Sequence, residues 1–174
     1  MTGFLPPLLL TGGPAVGKTV TARALADAVP RTAYLDVDDL RHLVRNGHAA
    51  PWDGDDGAAQ QLLGVRNAAA LARSFLASGF NVTITDVATP QTLTVYRKLL
   101  PDLAVIHLTT ALAEARRRAR MRPVYLTDEE FEALHENQPS LVALDHRLEV
   151  THLDVTHLDQ AAQLRQVRAI WTPL

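Results

Sequence analysis

The chain reads as one doubly wound α/β domain, with a five-stranded, mainly parallel sheet and helices on both faces. The first observation behind this is a set of short segments rich in Val, Ile, Thr and Leu: "FLPPLLLT" (4–11), "TAYLDV" (32–37), "FNVTITDV" (80–87), "LAVIHLTT" (103–110) and "LEVTHLDV" (148–155). Each has strand length and is flanked by turn residues. The second is the set of helical stretches between them: "KTVTARALADAV" (18–29), "DDLRHLVRNG" (38–47), "GAAQQLLGVRNAAALARSFLASG" (57–79), "TPQTLTVYRKLLP" (89–101) and "LAEARRRARM" (112–121), with a last helix over about 158–170. Apolar residues recur in them at spacings of three and four, and Gly or Pro stands near their ends. Strand–helix alternation requires crossovers, and crossovers give a parallel sheet covered on both sides. The third is size: 174 residues, 47% apolar and 21% charged, suit a single core without repeats or low-complexity tracts.

Composition also narrows the classes. With no cysteine, disulfides, thiolate metal sites and cysteine nucleophiles are excluded. The start, "MTGFLPPLLL", lacks a basic segment and a cleavage site, and its apolar run is too short to span a bilayer, so the expected location is the cytoplasm, without membrane attachment. A net charge of −2 gives no general attraction to nucleic acid; a strand-binding role would rest on one basic patch, "EARRRARMR" at 114–122.

In doubly wound sheets ligands bind beyond the carboxyl ends of the strands. Directly after the first strand stands "GGPAVGKT", Gly12, Gly13, Pro14, Ala15, Val16, Gly17, Lys18 and Thr19, with Val20 next in the helix; it fits G-x-x-x-x-G-K-[ST] in full. Glycines let the chain turn tightly and bring backbone N–H groups to phosphate oxygens, and the helix start adds its positive dipole end. Lys18 then reaches the β- and γ-phosphates and Thr19 offers a hydroxyl to Mg²⁺. The alternative, a glycine turn with a solvated lysine, does not account for strand, motif and helix in that order. The expected ligand is a nucleoside triphosphate. The chain contains no "NK" dipeptide, hence no N-K-x-D base-reading motif of GTPases, and no L-S-G-G-Q-like signature of ABC-type ATPases.

After the second strand come Asp36, Asp38, Asp39 and Arg41 in six residues. Three carboxylates at one strand end repel unless a cation stands near, which suits them to bind one or to accept a proton. Asp38 or Asp39 also lies at the expected start of a helix and is of the N-cap type. Asp86 ends "VTITD", a weak Walker-B-like pattern; it would hold Mg²⁺ directly or through water, or orient Thr19, unless it caps the helix at "TPQT".

The order "GGPAVGKT", "DVDDLR", "VTITDVAT" and "RRRARMRP" resembles the small-molecule P-loop kinase group: shikimate kinase, gluconate kinase, chloramphenicol phosphotransferase, the kinase domain of polynucleotide 5′-kinases and zeta-type toxins. The resemblance implies a single-domain P-loop NTPase fold over 1–174, an acceptor-side insert at about 42–67 and an Arg-rich lid at about 112–136. It implies that Asp38 takes or orients the acceptor's hydroxyl proton, as the aspartate of D-D-x-R does in polynucleotide kinases, with Asp36 beside it as in shikimate kinase. Arg41 would hold the acceptor, and lid arginines, Arg118 and Arg122 first, then Arg116 and Arg120, would stabilise transferred charge. Five arginines within seven residues, after one acid, Glu114, are costly without an anion nearby. "VYLTDEEFEALHE" then begins a second lid helix, with Thr127 as N-cap and Glu130 completing a capping box.

Two further segments bear on the ligands. In "AAPWDGDDGAAQQ" (49–61), Trp52 would stack on an acceptor ring or pack on the core. In "HLDVTHLD" (152–159), Asp154 and Thr156 correspond to a turn that in this group lies beside the adenine, although the pattern here is D-V-T rather than D-T-S. The seven histidines show no metal-ligand spacing. The expected protein is thus an ATP- and Mg²⁺-dependent kinase acting on an unidentified small-molecule hydroxyl acceptor. A nucleotide-dependent switch with a protein partner, a polynucleotide 5′-hydroxyl kinase and a zeta-type toxin kinase are the alternatives, and the acidic loop at 53–56 speaks against a nucleic-acid groove.

Overall fold

The computed structural model describes residues 5–121, 126–136 and 149–172. Its centre is β1 (Leu8–Thr11), four residues buried on both faces, as an uninterrupted apolar run requires. Around it stand β2 (Thr32–Asp36), β3 (Asn81–Thr85), β4 (Ala104–Thr109) and β5 (Val150–Asp154) in the spatial order β2-β3-β1-β4-β5. Every pairing is parallel, so the sheet is more uniform than "mainly parallel" anticipated. The edge strands β2 and β5 are only partly buried.

The helices are α1 (Lys18–Ala28), α2 (Val37–Arg41), α3 (Gly54–Ala77), α4 (Pro90–Leu99), α5 (Leu112–Ala119), α6 (Asp128–Glu136) and α7 (Gln160–Trp171). One face of the sheet packs Leu9, Ile84 and Val105 against Val65, Ala68, Ala69 and Ala72 of α3 and Leu93 and Tyr96 of α4. The other packs Leu8, Leu10 and Ile106 against Ala22 and Leu25 of α1 and Val167 and Trp171 of α7. Small residues on α3 let that 24-residue helix lie close to the sheet. The Trp171 indole N–H donates to Pro6 O at 2.7 Å, which fastens α7 to the segment leading into β1.

Helix starts follow local chemistry. Thr89 caps α4, accepting from Thr92 N–H, with Thr92 answering and Pro90 at the first position. Asp159 caps α7 through Ala162 N–H at 2.7 Å. The expected capping box of α6 is formed: Thr127 Oγ1 accepts from Glu130 N–H, and Glu130 accepts from Thr127 N–H. Two boundaries differ from expectation. The helix expected over 38–47 stops at Arg41, where the next turns tighten through Leu43 N–H to Leu40 O and Val44 N–H to Arg41 O. The long helix begins at Gly54 rather than 57.

The passage from β1 into the next loop depends on Gly12. Its φ is +139°, and a Cβ there would lie 2.2 Å from Leu108 O of β4. Only glycine combines that conformation with that approach. Gly12→Ala is expected to cost about 3 kcal/mol or more, from backbone strain plus overpacking, and to lower Tm in a thermal melt by roughly 6–12 °C. A loss below about 1 kcal/mol would show that the loop leaves β1 by another path.

Candidate active site

Residues 12–17 form the loop between β1 and α1, at the carboxyl edge of the sheet, and Lys18 and Thr19 open the helix. Gly17, with φ +91°, precedes α1 and makes no side-chain cap bond, so the first N–H groups of α1 face the loop. Lys18 Nζ donates to Gly12 O and Gly13 O, both at 2.8 Å, which draws its ammonium back across the loop. From behind, Gln163 of α7, almost fully buried, donates to Val16 O at 3.0 Å and to Thr21 Oγ1 at 2.9 Å. The loop's curvature is therefore held by a side chain 147 residues away in sequence.

The chain after β3 is stitched to the end of β1: Asp86 N–H donates to Leu10 O at 3.3 Å and Ala88 N–H to Thr11 Oγ1 at 2.9 Å. This brings Asp86 beside the loop. Its side chain is 0% exposed, and both carboxylate oxygens are engaged. Oδ1 accepts from Arg41 Nη2 at 2.9 Å and from Val87 N–H at 2.8 Å; Oδ2 accepts from Tyr96 Oη at 2.9 Å. Asp86, expected beside a metal or as a helix cap, holds Arg41, and the cap of α4 is Thr89. Burial, with the Asp86 carboxylate adding to it, pushes Tyr96 well above the phenol range, so its hydroxyl stays a donor.

Arg41 also bonds Asp38 Oδ1 through Nη1 at 2.8 Å. Burial works against its charge, but the carboxylates of Asp86 and Asp38 outweigh it and hold the guanidinium above its ordinary value. Asp38 itself is 65% exposed at the side chain, so it offers an oriented carboxylate to the open side. Asp36, not Asp38 or Asp39, caps α2: its Oδ1 accepts from Asp38 N–H at 3.1 Å. Its Oδ2 accepts from Tyr34 Oη at 2.7 Å, and Tyr34 also meets Thr85 Oγ1, with Thr19 among its polar neighbours. Burial first, partly offset by Thr85 and reinforced by Asp36, pushes the Tyr34 phenol up to about 12. Thr19, Tyr34 and Asp36 thus form one polar corner next to the Arg41–Asp38 pair.

On the other side of the loop lies a cavity of about 580 Å³ between the start of α1, α5 and the loop leading into α7. Ala15, Gly17, Val20, Arg118, Leu158 and Asp159 are among its walls. Arg118 is fixed there: Nε donates to Glu114 Oε1 at 2.7 Å, and Nη2 donates to Val155 O at 2.7 Å and Leu158 O at 3.2 Å. Hydrogen bonds from Arg117 and Arg118 take the Glu114 carboxyl down to about 2. Arg116 pairs with Glu132 of α6 at 3.2 Å, joining α5 to α6. Arg122 lies outside the described residues.

Asp154 and Thr156 do not line this cavity. Asp154 Oδ1 accepts from Thr156 N–H and Oγ1, and Thr156 Oγ1 accepts from Ala111 N–H at 2.9 Å, so the pair ties the end of β5 to the start of α5. The wall residues stand a few positions on, at 158–163. Sequence reasoning had no signal for Gln163 or for His135 of α6, whose Nε2 lies 3.0 Å from Pro14 O. Trp52 is 54% exposed rather than packed on the core. His107 and His152 face each other across β4 and β5 with their Nδ1 atoms 3.1 Å apart. Among the described residues no group of three metal-ligating side chains occurs, and no helix is long and apolar enough to cross a membrane.

No protein-family model and no curated protein matches the chain. Solved structures do. A sugar kinase from Janibacter sp. HTCC2649 superposes with a TM-score of 0.73 at 19% identity, covering 96% of this chain and 94% of that one. A gluconokinase from Sinorhizobium meliloti 1021 gives 0.68 at 19%, over 95% and 91%. A shikimate kinase from Bacteroides thetaiotaomicron gives 0.65 at 14%, over 95% and 98%. At these identities the likeness is one of fold, and over nearly its whole length the chain has the fold of the small-molecule P-loop kinases.

Proposed function

We propose that the protein is an ATP-dependent phosphotransferase that moves the γ-phosphoryl group to a hydroxyl of a small molecule. The observation that carries this reading is the placement of an exposed, Arg41-held carboxylate, Asp38, on the same sheet edge as the loop of Lys18. The neighbours are small-molecule kinases by their printed names, which supports the reaction class.

In this reading the 580 Å³ cavity receives the nucleoside, with Arg118, Leu158 and Asp159 as its walls in place of Asp154 and Thr156. The loop N–H groups and the α1 terminus cradle the phosphates, and Lys18 leaves its carbonyl partners for the terminal ones. The donors fit a divalent ion as well: Thr19 offers a hydroxyl, and Asp36 supplies negative charge in the same corner through Tyr34. Bound Mg²⁺ would neutralise phosphate charge there. Asp38 accepts the acceptor hydroxyl's hydrogen bond and directs its oxygen at the phosphorus; positioning supplies most of phosphoryl transfer, so orientation is what the carboxylate provides. Arg41 acts through Asp38 rather than on the acceptor, because both its terminal nitrogens are occupied. Trp52, exposed in the segment before α3, is positioned to meet an acceptor's apolar face.

The test is ADP release from Mg·ATP with a panel of hydroxyl compounds: polyols and sugar acids, a cyclic hydroxy acid, nucleosides, aminoglycosides, a nucleotide-sugar and a 5′-hydroxyl oligonucleotide. An acceptor that raises the rate about tenfold or more, with the gain abolished in Asp38→Ala, supports the reading. ATP hydrolysis indifferent to every acceptor and to Asp38→Ala would favour a nucleotide-dependent switch. Arg41→Lys is expected to lower acceptor-dependent turnover about 10- to 100-fold while leaving Mg·ATP binding within about twofold, because one ammonium cannot bridge Asp38 and Asp86 in the same geometry. Equal losses in ATP binding would place Arg41 on the nucleotide instead.

A further inference from the structure

His135, in the last turn of α6, lies against the phosphate loop. Its Nε2 is 3.0 Å from Pro14 O, with the N–H donating. A Cβ on Gly13 would come within 3.1 Å of the ring's Cε1 and 3.2 Å of both Nδ1 and Nε2. The polar edge of the imidazole is therefore turned onto the loop, and glycine at position 13 leaves it room. The placement is fixed by more than that one bond. The Phe131 ring, buried to 5% exposure, lies 5.1 Å from the imidazole, and the Thr127–Glu130 capping box and the Arg116–Glu132 pair secure α6 at its start and against α5.

The loop has two distinguishable ends. The large cavity touches Ala15, Gly17, Val20 and Thr21 but not residues 12–14. Residues 12, 13 and 14 present their carbonyls in succession to Lys18, Lys18 again and His135. If the cavity takes the nucleoside, the end shared by Lys18 and His135 takes the terminal phosphates. We infer that His135 is a second positively charged contact for the terminal phosphoryl group of the bound nucleoside triphosphate, delivered by α6 beside Lys18. This rests on the nucleotide-binding reading above and extends it.

The charged groups facing the imidazole account for how it would respond. Burial lowers its affinity for a proton, the Pro14 carbonyl raises it, and Lys18 from the loop and Arg116 from α5, the latter paired with Glu132, lower it again. Without ligand the ring is neutral near pH 7. A γ-phosphate would reverse the local field: the ring gains a proton, keeps its Nε2–H on Pro14 and presents Nδ1–H to a phosphoryl oxygen. ADP, lacking that group, would exert less of this pull. His135 thus becomes a determinant of triphosphate over diphosphate binding, coupled to proton uptake.

The experiment is titration calorimetry of the full chain with Mg·ATP and Mg·ADP at about pH 6 and about pH 8, in buffers of different ionisation enthalpy. Wild type, His135→Ala, His135→Gln and Lys18→Ala are compared. The expected result is that ATP binds wild type more tightly at the lower pH with proton uptake, while ADP shows neither. Both His135 variants weaken ATP about tenfold, leave ADP within about twofold and abolish the proton uptake. Equal weakening of the two nucleotides would make His135 a structural prop for α6, and tighter binding in the variants would make it a plug; either overturns the assignment, as does no change. Should His135→Ala melt early, His135→Gln, which retains a donor for Pro14 but cannot be charged, gives the same reading. Lys18→Ala separates the two levels. If it binds both nucleotides as wild type does, the nucleotide site itself is misplaced; if it loses both while the His135 variants behave as wild type, only the His135 assignment falls.

Discussion

The close approach of the backbone at Gly12 to Leu108 O of β4 sets the geometry on which the candidate site depends. Because the chain can leave β1 that near its neighbour, the loop folds over the sheet edge rather than away from it. Lys18 can then return to the carbonyls of residues 12 and 13, and α1 points its N-terminus at the enclosed space. Two hydrogen bonds between distant segments complete the arrangement. Gln163 braces the loop from α7, and Thr11 Oγ1 receives Ala88 N–H, so the segment carrying Asp86 is fixed to the same strand end. The loop is braced from α7 at Val16 and from α6 at Pro14, and a braced loop presents its donors with little reorganisation when charge develops.

Around it, positive charge is distributed in already satisfied pairs. Glu114 holds Arg117 and Arg118, Glu132 holds Arg116, and Asp38 and Asp86 hold Arg41. The dense arginine run appeared in the sequence to demand an external anion. Much of that demand is met by Glu114, one turn back on the same helix, and by Glu132 from the next. The pairs differ in what they leave over. Arg118 is committed to two backbone carbonyls as well and lines the cavity beside α1. Lys18 donates to two neutral carbonyls and His135 to one, and such neutral partners are exchanged for phosphate oxygens at little cost.

How far the sequence disclosed this depended on the range of the interaction concerned. The phosphate loop was legible because its chemistry lies in eight consecutive residues, and the strands because each is a compact apolar run. The box at Thr127 and Glu130 was legible for the same reason. Asp86 was not, since its partners stand 45 residues before it and 10 after, and no local pattern reveals that a strand-end carboxylate will be enclosed by an arginine and a tyrosine. Asp154 and Thr156 were expected beside a base from the family resemblance alone. The turn they form engages Asp154 Oδ1 and Thr156 Oγ1, and the residues that follow supply the cavity wall. Gln163 and His135 carry ordinary helix-surface signatures, and only the packing of α7 and α6 gives them the loop.

The shared guanidinium decides what kind of group Asp38 is. One guanidinium serves two carboxylates, and the buried member, Asp86, holds it through one oxygen while Tyr96 satisfies the other. Asp38 is then the member with exposed surface, oriented by Nη1 but open to solvent on its remaining lone pairs. An arginine turned instead toward the acceptor would leave two neighbouring carboxylates uncompensated, raising the affinity of one for a proton and making it a donor where phosphoryl transfer to a hydroxyl calls for an acceptor. Holding Arg41 inward fixes the direction of the Asp38 carboxylate.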